Sequence, residues 1–124
     1  MGRVDKVTRC SQKYIKERCA VEILLYLNRR KLADDVIVYV NNMVVWLKNG
    51  NLYSRYNVKA SECISGADDD LLTISFDGSE FLRQYRYGNG GYRRPKLLKD
   101  LNIFLARRGL KLEVIDWMGY IREI

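Results

Sequence analysis

The chain has no histidine, one proline and three cysteines in 124 residues, and each shortage removes a class of chemistry. Histidine is the side chain whose unperturbed pKa lies near neutrality, so its absence excludes the Ser–His and Cys–His nucleophile arrangements. Cys10, Cys19 and Cys63 are odd in number and lack the paired short spacing of a zinc site. They read as free thiols of a reducing compartment. No stretch approaches the roughly 20 apolar residues that span a bilayer. The opening Met1-Gly2-Arg3-Val4-Asp5-Lys6 has no signal-peptide apolar run. Lys6 also stands where N-myristoylation of Gly2 wants Ser or Thr. The expectation is a cytoplasmic protein, off the membrane, with no metal and no cofactor.

With 48% hydrophobic residues the chain can bury a core without disulfide staples, as a single domain over residues 1–124. Its charge is unevenly spread. Residues 1–31, 32–80 and 81–124 carry +6, −5 and +6, which make up the net +7. A fold that juxtaposes the two ends would build one positive surface, and the expected partner is anionic.

Residues 11–30 read as an amphipathic helix: Ser11 can cap it, and Ile15, Cys19, Ile23, Tyr26 and Leu27 recur at spacings of three and four. Arg29, Arg30 and Lys31 fall in its last turn, where cations suit the helix dipole as readily as a ligand. From Val36 the period changes to two. Strands are expected at residues 36–40, 43–47 and 52–56, turned by Asn41-Asn42 and Asn49-Gly50, with one longer strand over 36–47 as the alternative. A polar linker ends in Asp68-Asp69-Asp70. Residues 71–76 and 81–87 then flank Asp77-Gly78 as another hairpin. Pro95 opens a helix to Arg108, striped by Leu97, Leu101, Phe104 and Leu105 and stopped by Gly109. Residues 110–124 give a final strand whose alternation slips near Gly119, as at a bulge. The class is α+β: an N-terminal helix, an antiparallel sheet of about four to five strands, a second helix and a C-terminal strand.

Asp68-Asp69-Asp70 lacks the other ligands of an EF-hand loop and reads as a solvated turn, as does Asp34-Asp35. The Glu-x-Lys pair that a restriction-type nuclease needs is missing. Gly88-Asn89-Gly90-Gly91 could bring backbone N–H groups to a phosphate, though it matches neither the Walker nor the dinucleotide pattern. Around it Arg83, Tyr85, Arg86, Tyr87, Tyr92, Arg93 and Arg94 interleave guanidinium groups with aromatic rings, a mixture that suits a nucleotide or a single strand. The plain alternative is a half-buried strand showing one face in and one out. Tyr53, Arg55 and Tyr56 repeat the mixture and could line the same sheet face. Arg107 and Arg108 answer the helix dipole or hold a ligand.

Phe76-Asp77-Gly78, Tyr87-Gly88, the helix Leu97-Leu98-Lys99-Asp100-Leu101-Asn102, and Gly109-Leu110-Lys111-Leu112-Glu113 with Trp117 together resemble a pattern in small phage proteins, over about residues 71–124. Some of these are similar to the phage anti-Thoeris sponges, which sequester a cyclic ADP-ribose type signal in oligomers without chemistry on it. The resemblance implies Phe76 as the aromatic of the hairpin turn, Arg107 and Arg108 as the arginines of the last helix, and a polar contact at Arg86 or Asn89.

Residues and resemblance together give a non-enzymatic phage or mobile-element protein that binds a phosphorylated nucleotide signal, a cyclic ADP-ribose type molecule or a cyclic nucleotide, in the host cytoplasm and so blocks host defence. Arg83, Arg86, Arg93, Arg94, Arg107 and Arg108 would hold phosphates, and Phe76, Tyr87 and Tyr92 would stack on base or ribose. A homo-oligomer is expected, with Trp46, Trp117 and a tyrosine-rich sheet face at its interface. The rivals are a nucleic-acid-binding regulator or inhibitor of a nucleic-acid-guided nuclease, using the two basic ends, and a protein-only inhibitor of a host enzyme. An enzyme working through Glu113, Asp116 or Glu80 stands behind both.

Overall fold

A computed structural model describes residues 2–69, 71–87 and 95–124, with side chains described from Lys16 onward. The first helix, α1 (Gly2–Arg29), is longer than its apolar pattern. It ends where Lys31 turns left-handed at φ 58. There the Leu32 N–H donates to the Leu27 carbonyl at 2.8 Å and the Lys31 N–H to that of Asn28 at 3.0 Å, a Schellman closure normally built on glycine.

The chain then forms β1 (Ile37–Val40), β2 (Met43–Lys48) and β3 (Asn51–Tyr56), the short helix α2 (Ala60–Cys63), and β4 (Leu72–Ser75). Helices α3 (Glu80–Arg86) and α4 (Lys96–Ala106) follow, and β5 (Leu110–Ile115) and β6 (Met118–Glu123) close it. The six strands make one antiparallel sheet in the order β3-β2-β1-β4-β6-β5. Asn41 and Asn42 stand at φ 50 and 59, Asn49 and Gly50 at φ 53 and 79. Two successive positive φ values make two-residue hairpin turns, so residues 36–47 are two strands.

Three expectations fail. Ser11 does not cap the first helix, because α1 begins at Gly2 and Ser11 lies inside it. The hairpin about Asp77-Gly78 does not form, because residues 80–86 are helical: Ser79 caps α3 by accepting from the Leu82 N–H at 3.1 Å. Phe81 and Leu82 are buried, a pairing of adjacent residues that a strand cannot put on one face. The final strand with a bulge near Gly119 is instead the β5–β6 hairpin, turned at Asp116 with φ 60. The alternation slips because the strand reverses. Tyr53, Arg55 and Tyr56 therefore share no sheet face with residues 85–87.

One face of the sheet carries the main core. Val36, Val38, Val40, Val45, Leu47, Leu72, Ile74, Leu112 and Ile121 meet Ile23, Leu24 and Leu27 of α1, Phe81 and Leu82 of α3, and Leu101 and Leu105 of α4. On the other face Tyr39, Val44, Met118 and Tyr120 meet, among the described residues, Ala60 of α2, Ile64 just after it, and partly buried side chains of the flanking loop and sheet. Among the described residues no helix is long and apolar enough to cross a membrane.

Candidate functional site

The two basic ends of the chain are packed side by side. Tyr26 of α1 lies on Phe104 of α4 with ring centroids 4.5 Å apart. The Arg30 guanidinium covers the Tyr26 ring and that of Arg108 the Phe104 ring, each at 3.8 Å. Arg108 also donates from Nε to Glu22 Oε2 at 2.6 Å and from Nη1 to the Phe104 carbonyl at 3.0 Å. The hydrogen bond from Arg108, aided by Arg18 and working against burial, holds the Glu22 carboxyl below its ordinary pKa. These contacts make Arg108 a clasp between helices. Arg107 beside it is exposed.

At the other end of α4, eleven residues or roughly 16 Å away, a cavity of about 870 Å³ opens between the end of α3, the start of α4 and the β5–β6 turn. Tyr85, Arg86, Tyr87, Pro95, Leu98, Val114 and Asp116 line it, a volume in the range of small-molecule sites. Arg86 pairs with the Asp116 carboxylate across it. Helix α4 starts after Pro95 with no side-chain cap from Pro95 and no acid in its first turn, so among the described residues nothing answers the positive end of its dipole beside the cavity.

Of the arginines and tyrosines singled out in the sequence, Tyr85, Arg86 and Tyr87 meet here. Arg83 sits one turn earlier on α3 and is held by Glu80, its Nε donating to Oε2 at 2.7 Å. Hydrogen bonds from Arg83 first and Gln84 second bring the Glu80 carboxyl down to about 2. Phe76 is 1% exposed and stacks on Phe81 at 4.7 Å, so it is a core side chain rather than a ligand platform. Arg107 and Arg108 are at the far end of α4 and outside the cavity. Asn89, Tyr92, Arg93 and Arg94 lie outside the described residues, in the connection whose two ends, Tyr87 and Pro95, both line the cavity.

Val114 carries no sequence signal, and Leu98 and Asp116 enter the sequence reading only within the phage-type pattern and as an enzyme candidate; the place of Val114 and Asp116 in the cavity depends on the β5–β6 hairpin. On the thinly covered sheet face, a second cavity of about 650 Å³ is lined by Asp34, Asp35, Tyr39, Trp46, Lys48 and Arg55 among others. Alternation in β1, β2 and β3 puts Tyr39, Trp46, Tyr53 and Arg55 on this face, and Trp46 stacks on Tyr53 at 5.8 Å. Of the expected interface tryptophans, Trp46 and Trp117 are both partly buried against the smaller core.

Among the described residues, no cluster of three or more Cys, Asp or Glu side chains could hold a metal ion. Asp69 instead accepts from the Ser61 N–H at 2.9 Å and its hydroxyl at 2.5 Å, tying the loop to α2. Family models, curated proteins and solved structures give no match to this chain.

Proposed function

We propose that the protein is a non-enzymatic binder that sequesters a small phosphorylated nucleotide, a cyclic ADP-ribose type signal or cyclic nucleotide, in the α3–α4 cavity, and so blocks host defence as phage sponges do. The observation that supports this reading is the convergence of Arg86, Tyr85, Tyr87 and the uncapped α4 start on one cavity of about 870 Å³. Guanidinium and helix terminus suit phosphate, and tyrosine faces suit a base or ribose. Arg93 and Arg94, in the connection between its walls, would add charge. Because Arg86 is already paired with Asp116, an incoming phosphate exchanges with that carboxylate.

The test is thermal denaturation against cyclic nucleotides, cyclic ADP-ribose isomers, ADP-ribose and short single strands, at low and physiological salt. The expected result is saturable stabilisation by one small nucleotide, about 2.7 kcal/mol at a hundredfold excess over Kd. It should persist in salt, vanish in Arg86→Ala and strengthen in Asp116→Asn. No shift with any small nucleotide overturns the reading. The second reading, nucleic-acid binding, draws on the side-by-side packing of the basic helices α1 and α4; stabilisation by strands alone, abolished by salt, would put it first.

A further inference from the structure

We propose that two copies of this chain pair through their β3 edges, Ser54 opposite Ser54, into a continuous twelve-stranded antiparallel sheet. This does not rest on the ligand reading. The two edges of the sheet are β3 and β5, and they are built differently. Helix α4 covers β5, and Lys111 and Glu113 guard it with an ion pair, Arg122 of the neighbouring strand joining Glu113 at 2.8 Å. Among the described residues strand β3 has no such guard. All six of its residues are exposed, and its large apolar side chains, Leu52 at 47%, Tyr53 at 44% and Tyr56 at 73% exposure, lie on both of its faces. No proline interrupts it, and Arg55 is its one charge. An unpaired strand edge flanked by apolar side chains is a template for another strand.

The backbone fixes which strand fits. Lys48 and Asn51 close the two-residue turn at Asn49-Gly50, so they form a hydrogen-bonded pair. Asn51, Tyr53 and Arg55 thus spend their N–H and C=O groups on β2, while Leu52, Ser54 and Tyr56 point theirs out of the sheet. A two-fold axis normal to the sheet pairs residues of like face, which requires a residue to meet its own copy. With Ser54 on the axis, Leu52 meets Tyr56 of the second copy, Ser54 meets Ser54, and Tyr56 meets Leu52. All three are outward pairs, giving about six backbone hydrogen bonds. With Tyr53 on the axis the outward pairs within the strand fall to two. The Ser54 register is also the better one for side chains. Leu52 packs on a tyrosine ring twice over on the main-core face, and each Arg55 guanidinium stands opposite a Tyr53 ring on the other face, the aromatic complement of the strand's only charge.

The thinly covered faces of the two copies then run together. Arg55, which lines the 650 Å³ cavity of its own chain, also borders the Trp46–Tyr53 stack of the second copy. One six-residue edge buries roughly half the 800 Å² per partner of a standard interface, so the expected dimer is of micromolar strength.

Sedimentation velocity from about 1 µM to 1 mM is the test. A monomer–dimer equilibrium is expected, shifted to monomer at least tenfold by Tyr56→Lys, which changes a side chain already in solvent, and by Ser54→Pro, which deletes an outward N–H without touching the β2–β3 ladder. Ser54→Cys should form an intermolecular disulfide at position 54 under mild oxidation, found by peptide mapping, since the Cα separation of a hydrogen-bonded pair, about 5.5 Å, lies within disulfide range. A chain that stays monomeric to 1 mM, growth past dimer, as β3-on-β5 addition would give, or cross-linking through Tyr53→Cys in place of Ser54→Cys overturns the proposal.

Discussion

Replacing Arg108 by alanine separates a structural clasp from a ligand contact. Three interactions are lost together. The Arg108–Glu22 pair, 2.6 Å long between side chains 36% and 28% exposed, is worth about 0.5–1 kcal/mol at that degree of solvation. The guanidinium over the Phe104 ring at 3.8 Å adds about 0.5–1 kcal/mol, and the bond to the Phe104 carbonyl at 3.0 Å about 0.5 kcal/mol. Arg108→Ala should therefore cost about 2 kcal/mol, or roughly 6–10 °C in Tm for a domain of this size. Urea denaturation of wild type, Arg108→Ala, Glu22→Gln and the double variant isolates the pair, with an expected coupling of about 0.5–1 kcal/mol at pH 7. Arg108 holds the folded-state pKa of Glu22 below its ordinary 4.5. The stabilisation is thus present above that value and is lost as pH falls through the folded pKa, so the coupling should fade in acid. Zero coupling at pH 7, or an Arg108→Ala protein of wild-type stability that no longer binds nucleotide, would refute the clasp and return Arg108 to the ligand.

Two further outcomes test the packing. A Cβ on Gly119 would stand 2.6 Å from Leu112 Cδ1 and 3.0 Å from the Glu113 carbonyl oxygen, so Gly119→Ala should lose about 1–3 kcal/mol in urea denaturation; wild-type stability would mean that β5 and β6 do not pair as described. Cys19 is buried, and burial, with Glu22 adding to it, pushes its thiol up to about 11, whereas Cys63 is exposed. Maleimide labelling at pH 8, followed by peptide mapping, should modify Cys63 at least a hundredfold faster, and equal rates would contradict the core around α1.

The parts of the fold that were legible in the sequence are those whose signals are local. The Asn-Asn and Asn-Gly pairs of the first two turns, the alternation of β1 and β2, and Gly109 after α4 each act within a few residues. Helix α3 was missed because Gln84-Tyr85-Arg86-Tyr87 alternates as a strand would, and that pattern masked the adjacent apolar pair Phe81-Leu82, which is buried and which only a helix puts on one side. The deciding signal was Ser79 as a cap, with Glu80 placed to meet Arg83 and Gln84. The β5–β6 turn was missed for a different reason. It is built on Asp116 in the left-handed region, next to a tryptophan rather than a glycine, so no usual turn pair marks it.

That helix changes what the arginines can do. In a strand Arg83, Tyr85 and Tyr87 would share one face and Arg86 would oppose them; on α3, positions 83, 86 and 87 lie three and four apart and so share a side. Their proximity does not make them equivalent. Arg83 is tied to a carboxylate on its own helix, whereas the partner of Arg86, Asp116, arrives from a hairpin thirty residues on. The first pair survives any movement of α3 as a body. The second breaks if the α3 terminus shifts from the β5–β6 turn. Cationic residues whose counter-charge belongs to another element are the ones a competing anion can release, which leaves Arg86 as the arginine of this group best placed to answer a ligand.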